Sequence, residues 1–298
     1  MVRIDLHMHT TVSDGTDRPE EIVRNVRVAG IEVFSVSDHD SIDCASVIPT
    51  LLLDEDPVFI SGVEFSCKDE EGKYHILGYG YDPEGESIRR VVEQGHAFRM
   101  DTVRRRLAFL SDAFGFTFPK EETDALLSLD NPGKPHIGNL MVKYGYAKTK
   151  EEAILEYINK MPKREAYVDP KDAIEGILGA GGIPVLAHPF FGSGSQTIPF
   201  TDIRDRVGRL KSYGLSGIEG FYSGFDGDMI RHALAVAEEM DLYVTAGSDY
   251  HGGNKTVKLG DTGLERILSE MPGDPSLEKV PGLLRFLQDV KKSKGVKW

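Results

Sequence analysis

The residues of this chain that could do chemistry fall in short groups far apart in sequence. They are His7-Met8-His9, Asp38-His39, Glu64, His75, His188 and Asp249-Tyr250-His251. Imidazoles and carboxylates together are ordinary ligands of divalent transition metals. In the first group Val2, Ile4 and Leu6 alternate with Arg3, Asp5 and His7, the period of two that marks a strand, and His9 extends it. Both rings then leave the strand end on one side, where two imidazoles can chelate one ion. A lone His-x-His is common at strand ends, so the weight of this reading depends on the other groups.

Those groups also lie on or just beyond predicted strands. Ile31 to Ser37 ends in Asp38-His39-Asp40, Val58 to Phe65 carries Glu64, and Tyr74 to Tyr79 has His75 near its start. Ile183 to Ala187 finishes in His188, Gly217 to Phe221 carries Glu219, and Tyr243 to Gly247 ends in Ser248-Asp249-Tyr250-His251. Counting the first strand, seven are predicted, near residues 4, 33, 60, 76, 185, 218 and 245. The polar stretch from Lys68 to Lys73 suits a hairpin. Between the other strands run helices: one capped by Asp17, with Pro19 and Glu20 in its first turn and Gly30 at its end, then Ser46 to Leu53, Pro170 to Leu178, Ile203 to Tyr213 and Met229 to Met240. Alternation of this kind predicts a βα barrel, whose C-terminal strand ends share one rim and so bring separate weak signals together.

From about residue 82 to 167 the rhythm changes to helix after helix, with Ile88 to Ala113 long and Arg-rich and Glu151 to Met161 following the cap Thr149. A βα crossover needs far less chain. The expected organisation is therefore a barrel made of residues 1–81 and 168–298, with an inserted helical cap at 82–167.

With 298 residues, 40% of them hydrophobic and 28% charged, the chain has the length and composition of a globular protein with a full core. A net charge of −13 argues against a long polyanionic partner such as duplex DNA. A small anionic substrate stays compatible, because bound metals reverse the local field. Cys44 and Cys67 are too few for a disulfide framework or a Cys-rich zinc site, and read as buried residues in a reducing compartment. The first residues lack the apolar core of a signal peptide and no run of about 18 apolar residues occurs, so a cytoplasmic location away from membranes is expected.

His7-Met-His9, Asp38-His39, Ala187-His188-Pro189 and Asp249-Tyr-His251, in this order, resemble the four motifs of the PHP (polymerase and histidinol phosphatase) family of metal hydrolases. The resemblance implies an α/β fold, a distorted seven-stranded (β/α)7 barrel, here with an inserted helical subdomain similar to that of the branch acting on nucleotides and small phosphate esters. It also implies two to three divalent ions, manganese, zinc or iron. The first would be held by His7, His9, Glu64 and Asp249, the second by Glu64, His75 and His188, and the third by Asp14, His39 and His251. Some family members have His at the position of Asp14, and a carboxylate there favours manganese or iron over zinc. Asp38 is expected to play a supporting role.

The chemistry implied is hydrolysis of a small phosphorylated metabolite, nucleotide-like, a nucleoside bisphosphate or a sugar phosphate, by hydroxide generated at the metals, with Asp249, Glu64 and His188 as the catalytic set. Gly247-Ser248-Asp249 lacks the surroundings of a nucleophile elbow. The metal ligands do not encode the leaving group, so a cyclic phosphodiesterase or a histidinol-phosphate phosphatase stays open, as do a metal-dependent amidohydrolase and a non-catalytic metal-binding module. Outside the ligands, Lys134 and His136 in the cap, Arg99, Arg164 and Tyr222 are candidates for substrate binding, whereas His96 and His232 suit surface or packing roles. The oligomeric state is not encoded.

Overall fold

The computed structural model describes residues 2–129, 132–162, 166–192 and 197–294. Its strands form two sheets. The first is parallel, in the order β1 (Ile4–Asp5), β2 (Val33–Phe34) and β3 (Val58–Phe59). The second joins β4 (Gly62–Lys68), β5 (Lys73–Tyr79), β6 (Ile183–Leu186), β7 (Gly217–Tyr222) and β8 (Tyr243–Gly247) in sequence order. In it β5 is antiparallel to both neighbours, and β6, β7 and β8 are mutually parallel. The expected hairpin between β4 and β5 is present, with Asp69 Oδ1 accepting from the amides of Glu71 and Gly72 at 2.9 and 3.1 Å.

The structure thus has an α/β fold with mixed pairing and two sheets, where a single seven-stranded ring was expected. The difference arises at residues 58–68. The first part of this stretch pairs with β2, as Ile60 N–H donates to Phe34 O, and the second part turns to β5. Gly62 marks the crossing, where a Cβ would stand 2.1 Å from Ser35 Oγ and 2.6 Å from Val36 O. The two sheets still meet at both margins. Leu6 N–H donates to Ala246 O at 2.8 Å and Asp249 N–H to His7 O at 2.7 Å, while Asp40 N–H donates to Glu64 O at 3.0 Å.

The alternation in residues 2–9 is not one of core against solvent, because Ile4 to His9 are all buried. Ile4 and Leu6 enter the main core and Met8 packs with Ile22, Val26 and Phe34 in a second cluster, whereas His7 and His9 turn to the rim. The helix Pro19–Ala29 starts one residue later than its expected cap. Arg18 N–H donates to Glu21 Oε2, and Asp17 instead accepts from Asn25 and the Tyr250 hydroxyl. Gly30 closes it at φ 64°, a left-handed angle that favours glycine.

Residues beyond β5 supply the helices Glu86–Phe114, Lys120–Leu127 and Lys134–Lys143. They enclose their own apolar cluster, which includes Val103, Leu110, Ile137 and Met141. The long helix serves two cores, because its first turns place Ile88 and Val91 in the main one, against the helix Pro170–Gly179. The helix expected at Glu151 to Met161 is broken into Lys150–Glu152, a wide turn over Ala153–Tyr157 and a tight one over Ile158–Lys160. Its cap is as expected, with Thr149 Oγ1 accepting from Glu152 N–H. Cys44 and Cys67 are buried free thiols. Among the described residues no helix is long and apolar enough to cross a membrane.

Candidate metal centre

Glu64 is the hub of the rim. Its Oε2 lies 3.2 Å from His7 Nε2, His9 Nε2 and His39 Nδ1, and its Oε1 lies 2.8 Å from His75 Nδ1 and 3.2 Å from His188 Nε2. Beside it Asp249 Oδ1 stands 3.3 Å from His9 Nε2 and 3.6 Å from His7 Nε2. Farther out, Asp14 Oδ1 is 3.1 Å from His251 Nε2. All nine residues expected as ligands are therefore brought to one place.

The donor atoms form three groups, each within 4.8 Å: His7, His9, Glu64 and Asp249; His39, Glu64 and His75; and His9, Asp14, His39 and His251. Donors around one cation at about 2.1 Å stand roughly 3–4 Å apart, so small adjustments close such a shell. The first group is the set expected for the first ion. The second pairs Glu64 and His75 with His39, while His188 Nε2, expected there, lies 3.2 Å from His75 Nδ1. The third contains the expected Asp14, His39 and His251 and adds His9. Among the described residues His7 Nε2, His9 Nε2, Asp14 Oδ1 and His39 Nδ1 are buried without a hydrogen-bond partner. Buried polar atoms are rarely left so, and all four belong to residues of the three donor groups, which fits a site built for cations.

The electrostatics are those of imidazoles and carboxylates crowded together out of water. Burial opposes ionisation of Glu64, yet His75, His7 and His39 hold its carboxyl well below the usual range. Asp249 is likewise held low against burial, by Lys255, His7 and His9. His9 is raised to about 9: burial acts against its charge, and Asp249 and Glu64 outweigh burial. Burial pushes His39 well below the ordinary imidazole value and lowers His251.

Several supporting groups were not legible from the sequence. Glu219, wholly buried on β7, holds His7 Nδ1 at 3.0 Å and accepts from His188 N–H at 2.7 Å. That fixes the His7 tautomer so that Nε2 faces the cluster. Gly247 leaves the room, since a Cβ there would stand 2.2 Å from His7 Cβ and 2.6 Å from Glu219 Oε1. His188, Asp249 and Asp40 take positive φ values of 26°, 59° and 52°, the backbone strain that such sites concentrate. Asp38, in its expected supporting role, accepts from Thr10 N–H, Thr10 Oγ1 and Ser13 Oγ and belongs to none of the three groups. Lys255 Nζ reaches Asp249 Oδ2 at 2.5 Å.

The candidates for substrate binding separate. A cavity of about 300 Å³ lies beside the cluster, lined by Asp14, His39 and His75 together with Phe98, Arg99 and Arg106 of the helix Glu86–Phe114 and Lys134 of the helix Lys134–Lys143. Arg99 lies there with its guanidinium on Asp40, and Lys134 with its ammonium 2.8 Å from Asn159 Oδ1. His136 is not in the lining; its Nδ1 accepts from Gly133 N–H at 3.1 Å, capping its own helix. Tyr222 is at the rim, its hydroxyl donating to Asp249 Oδ2 at 2.9 Å. Arg164 lies outside the described residues. Lys73, which sequence reasoning passed over, also lines the cavity. His232 stacks on Phe200 at 4.8 Å, a packing role.

The family profile described as PHP domain matches residues 5–173, more than half of the chain. The chain belongs to the PHP family. His188, Asp249 and His251 lie past the matched span, but similarity to whole proteins extends over them. This PHP protein is 26% identical over 91% of its length to a 5′-3′ exoribonuclease of Haemophilus influenzae, covering 97% of that protein. It is 27% identical to a 3′,5′-nucleoside bisphosphate phosphatase of Chromobacterium violaceum, covering 84% and 88% of the two chains. It is 28% identical to a phosphoribosyl 1,2-cyclic phosphate 1,2-diphosphodiesterase of Eggerthella lenta, covering 83% and 94%. A solved structure described as a metal-dependent phosphoesterase from Bifidobacterium adolescentis superposes with a TM-score of 0.76 at 26% identity, covering 87% and 91%. As a PHP protein with these relatives and this site, the chain is a metal-dependent phosphoric ester hydrolase.

Proposed function

We propose that this PHP protein removes a phosphoryl group from a small nucleotide-like substrate that carries a second phosphate, a nucleoside bisphosphate being the type. The observation that carries the reading is the cavity, lined by Asp14, His39 and His75 of the ligand cluster and also by Lys73, Arg99, Arg106 and Lys134, in a chain of net charge −13. Concentrating cations in one cavity of an acidic protein suits an anion held at a distance from the scissile group. The relative of Chromobacterium violaceum, named for such a substrate, supports it. Strands that meet at both margins also support a closed barrel of the family type, with residues 82–167 as its cap.

Two to three divalent cations at the three groups would polarise the phosphoryl oxygens and make a water acidic enough to attack near neutral pH. Glu64 would serve two of these groups, Asp249 would orient the attacking water through Oδ1, and His75 and His188 would hold a cation beside Glu64 Oε1. Glu219 holds the His7 ring through Nδ1. The relatives named exoribonucleases favour a second reading, in which the 5′ end of an RNA presents the same paired phosphates. A long nucleic acid was not expected from the net charge, but a single chain end meets only the cavity.

The test is phosphate release from adenosine 3′,5′-bisphosphate, cyclic phosphates, p-nitrophenyl phosphate and 5′-phosphorylated RNA. Bisphosphate should be turned over best. In Lys134→Ala, kcat/KM for the bisphosphate should fall about tenfold to hundredfold, the worth of a charge-assisted contact, with little change for p-nitrophenyl phosphate. Equal losses on both substrates would remove Lys134 from recognition, and preference for cyclic phosphates would replace the bisphosphate reading.

A further inference from the structure

Asp249 uses its two oxygens differently. Oδ1 turns to the ligand nitrogens, 3.3 Å from His9 Nε2 and 3.6 Å from His7 Nε2. Oδ2 turns away and takes the Tyr222 hydroxyl at 2.9 Å and the Lys255 ammonium at 2.5 Å. A carboxylate oxygen has about two acceptor directions, so those on Oδ2 are filled by the protein itself.

Lys255 is delivered there by a fixed turn. It follows the tight turn Gly252–Asn254, in which Asn254 Nδ2 donates to Asp14 O at 2.7 Å and Gly253 N–H to Thr16 Oγ1 at 2.8 Å. Gly252 has φ 62°, and a Cβ on it would stand 2.1 Å from Thr16 Oγ1. The turn is thus pinned to the loop carrying Asp14. Lys255 is part-exposed along its side chain, 39% against 6% for Asp249, and its ammonium rests on the carboxylate.

We propose that Lys255 is a positioning residue of the phosphoesterase site, holding Asp249 to ligation through one oxygen and tempering the charge that this carboxylate offers a bound cation. The inference rests on the metal-dependent phosphoesterase reading above. Its consequence has two opposite signs. Without the ammonium, Asp249 can offer both oxygens and its full charge, so a divalent cation binds more tightly. Asp249 is then no longer held where Oδ1 orients the attacking water, and turnover slows. A residue that merely supports the fold loses metal affinity and turnover together.

The experiment uses the full chain, stripped of metal by chelation, with Mn²⁺ as the probe in titration calorimetry and adenosine 3′,5′-bisphosphate as the substrate. In Lys255→Met the Kd for Mn²⁺ should tighten about tenfold while kcat falls about tenfold and KM stays within about twofold, the effect of one charge-assisted contact. Lys255→Arg should recover most of both. Tyr222→Phe, which removes the other donor but no charge, should move both quantities the same way by less. Affinity and kcat that worsen together, a raised KM at constant kcat, or no change in either would each overturn the proposal. If wild-type protein binds no Mn²⁺ or releases no phosphate, the phosphoesterase reading itself fails, and Lys255 loses its assigned role with it.

Discussion

Glu64→Gln should lower phosphoesterase activity on the order of 10³-fold and leave metal bound at only one of the three groups. The substitution preserves shape, so the loss comes from chemistry. Both Glu64 oxygens face imidazole nitrogens, three at 3.2 Å from Oε2 and two within 3.2 Å of Oε1. An amide must turn its NH₂ to one of these sets, and an N–H donor cannot ligate a cation. Glu64 belongs to two of the groups, and the third, of His9, Asp14, His39 and His251, does without it. Metal content by mass spectrometry, beside a circular-dichroism check that the variant folds, measures the effect. Full metal content in the variant would remove Glu64 from its shared position.

Asp249→Asn should lower kcat on the order of 10²-fold or more with a modest change in KM, the mark of a contact used in the transition state. The local geometry sets the direction. Oδ2 accepts from Tyr222 and Lys255, both donors, so an amide NH₂ there opposes two donors; turned the other way, it opposes the ligand cluster. Neither orientation keeps both sets of contacts. Steady-state kinetics with saturating Mn²⁺ checks this, and near-normal kcat would make Asp249 a structural residue only.

Some of this site was legible in the sequence for definite reasons. His7 and His9 share a face because strand periodicity is two, and His188, Asp249 and His251 stand at strand ends, where βα folds gather function. Glu219 was visible as a strand residue but not as the partner of His7, because 212 residues separate them and only the pairing of β7 with β8, and the contact of β8 with β1, joins them. No motif or spacing in the sequence singles out Lys255. Its place follows from a turn whose positive φ at Gly252 and anchor on Thr16 are tertiary facts. The strand near residue 60 read as one because its apolar run is continuous from Val58 to Ile60 and resumes at Val63, while its change of neighbours at Gly62 depends on the close approach of Ser35 and Val36. His136 sits beside Lys134 in sequence, yet helix geometry turns its Nδ1 back to Gly133.

If the imidazole and carboxylate cluster works by holding divalent cations, metal content and phosphate release rise and fall together. Protein purified without added chelator should carry two to three divalent ions per chain by mass spectrometry. Thorough chelation should remove both the ions and phosphate release from adenosine 3′,5′-bisphosphate, and titration with Mn²⁺ should restore activity in step with occupancy. Undiminished phosphate release from protein holding at most a trace of metal would contradict the account.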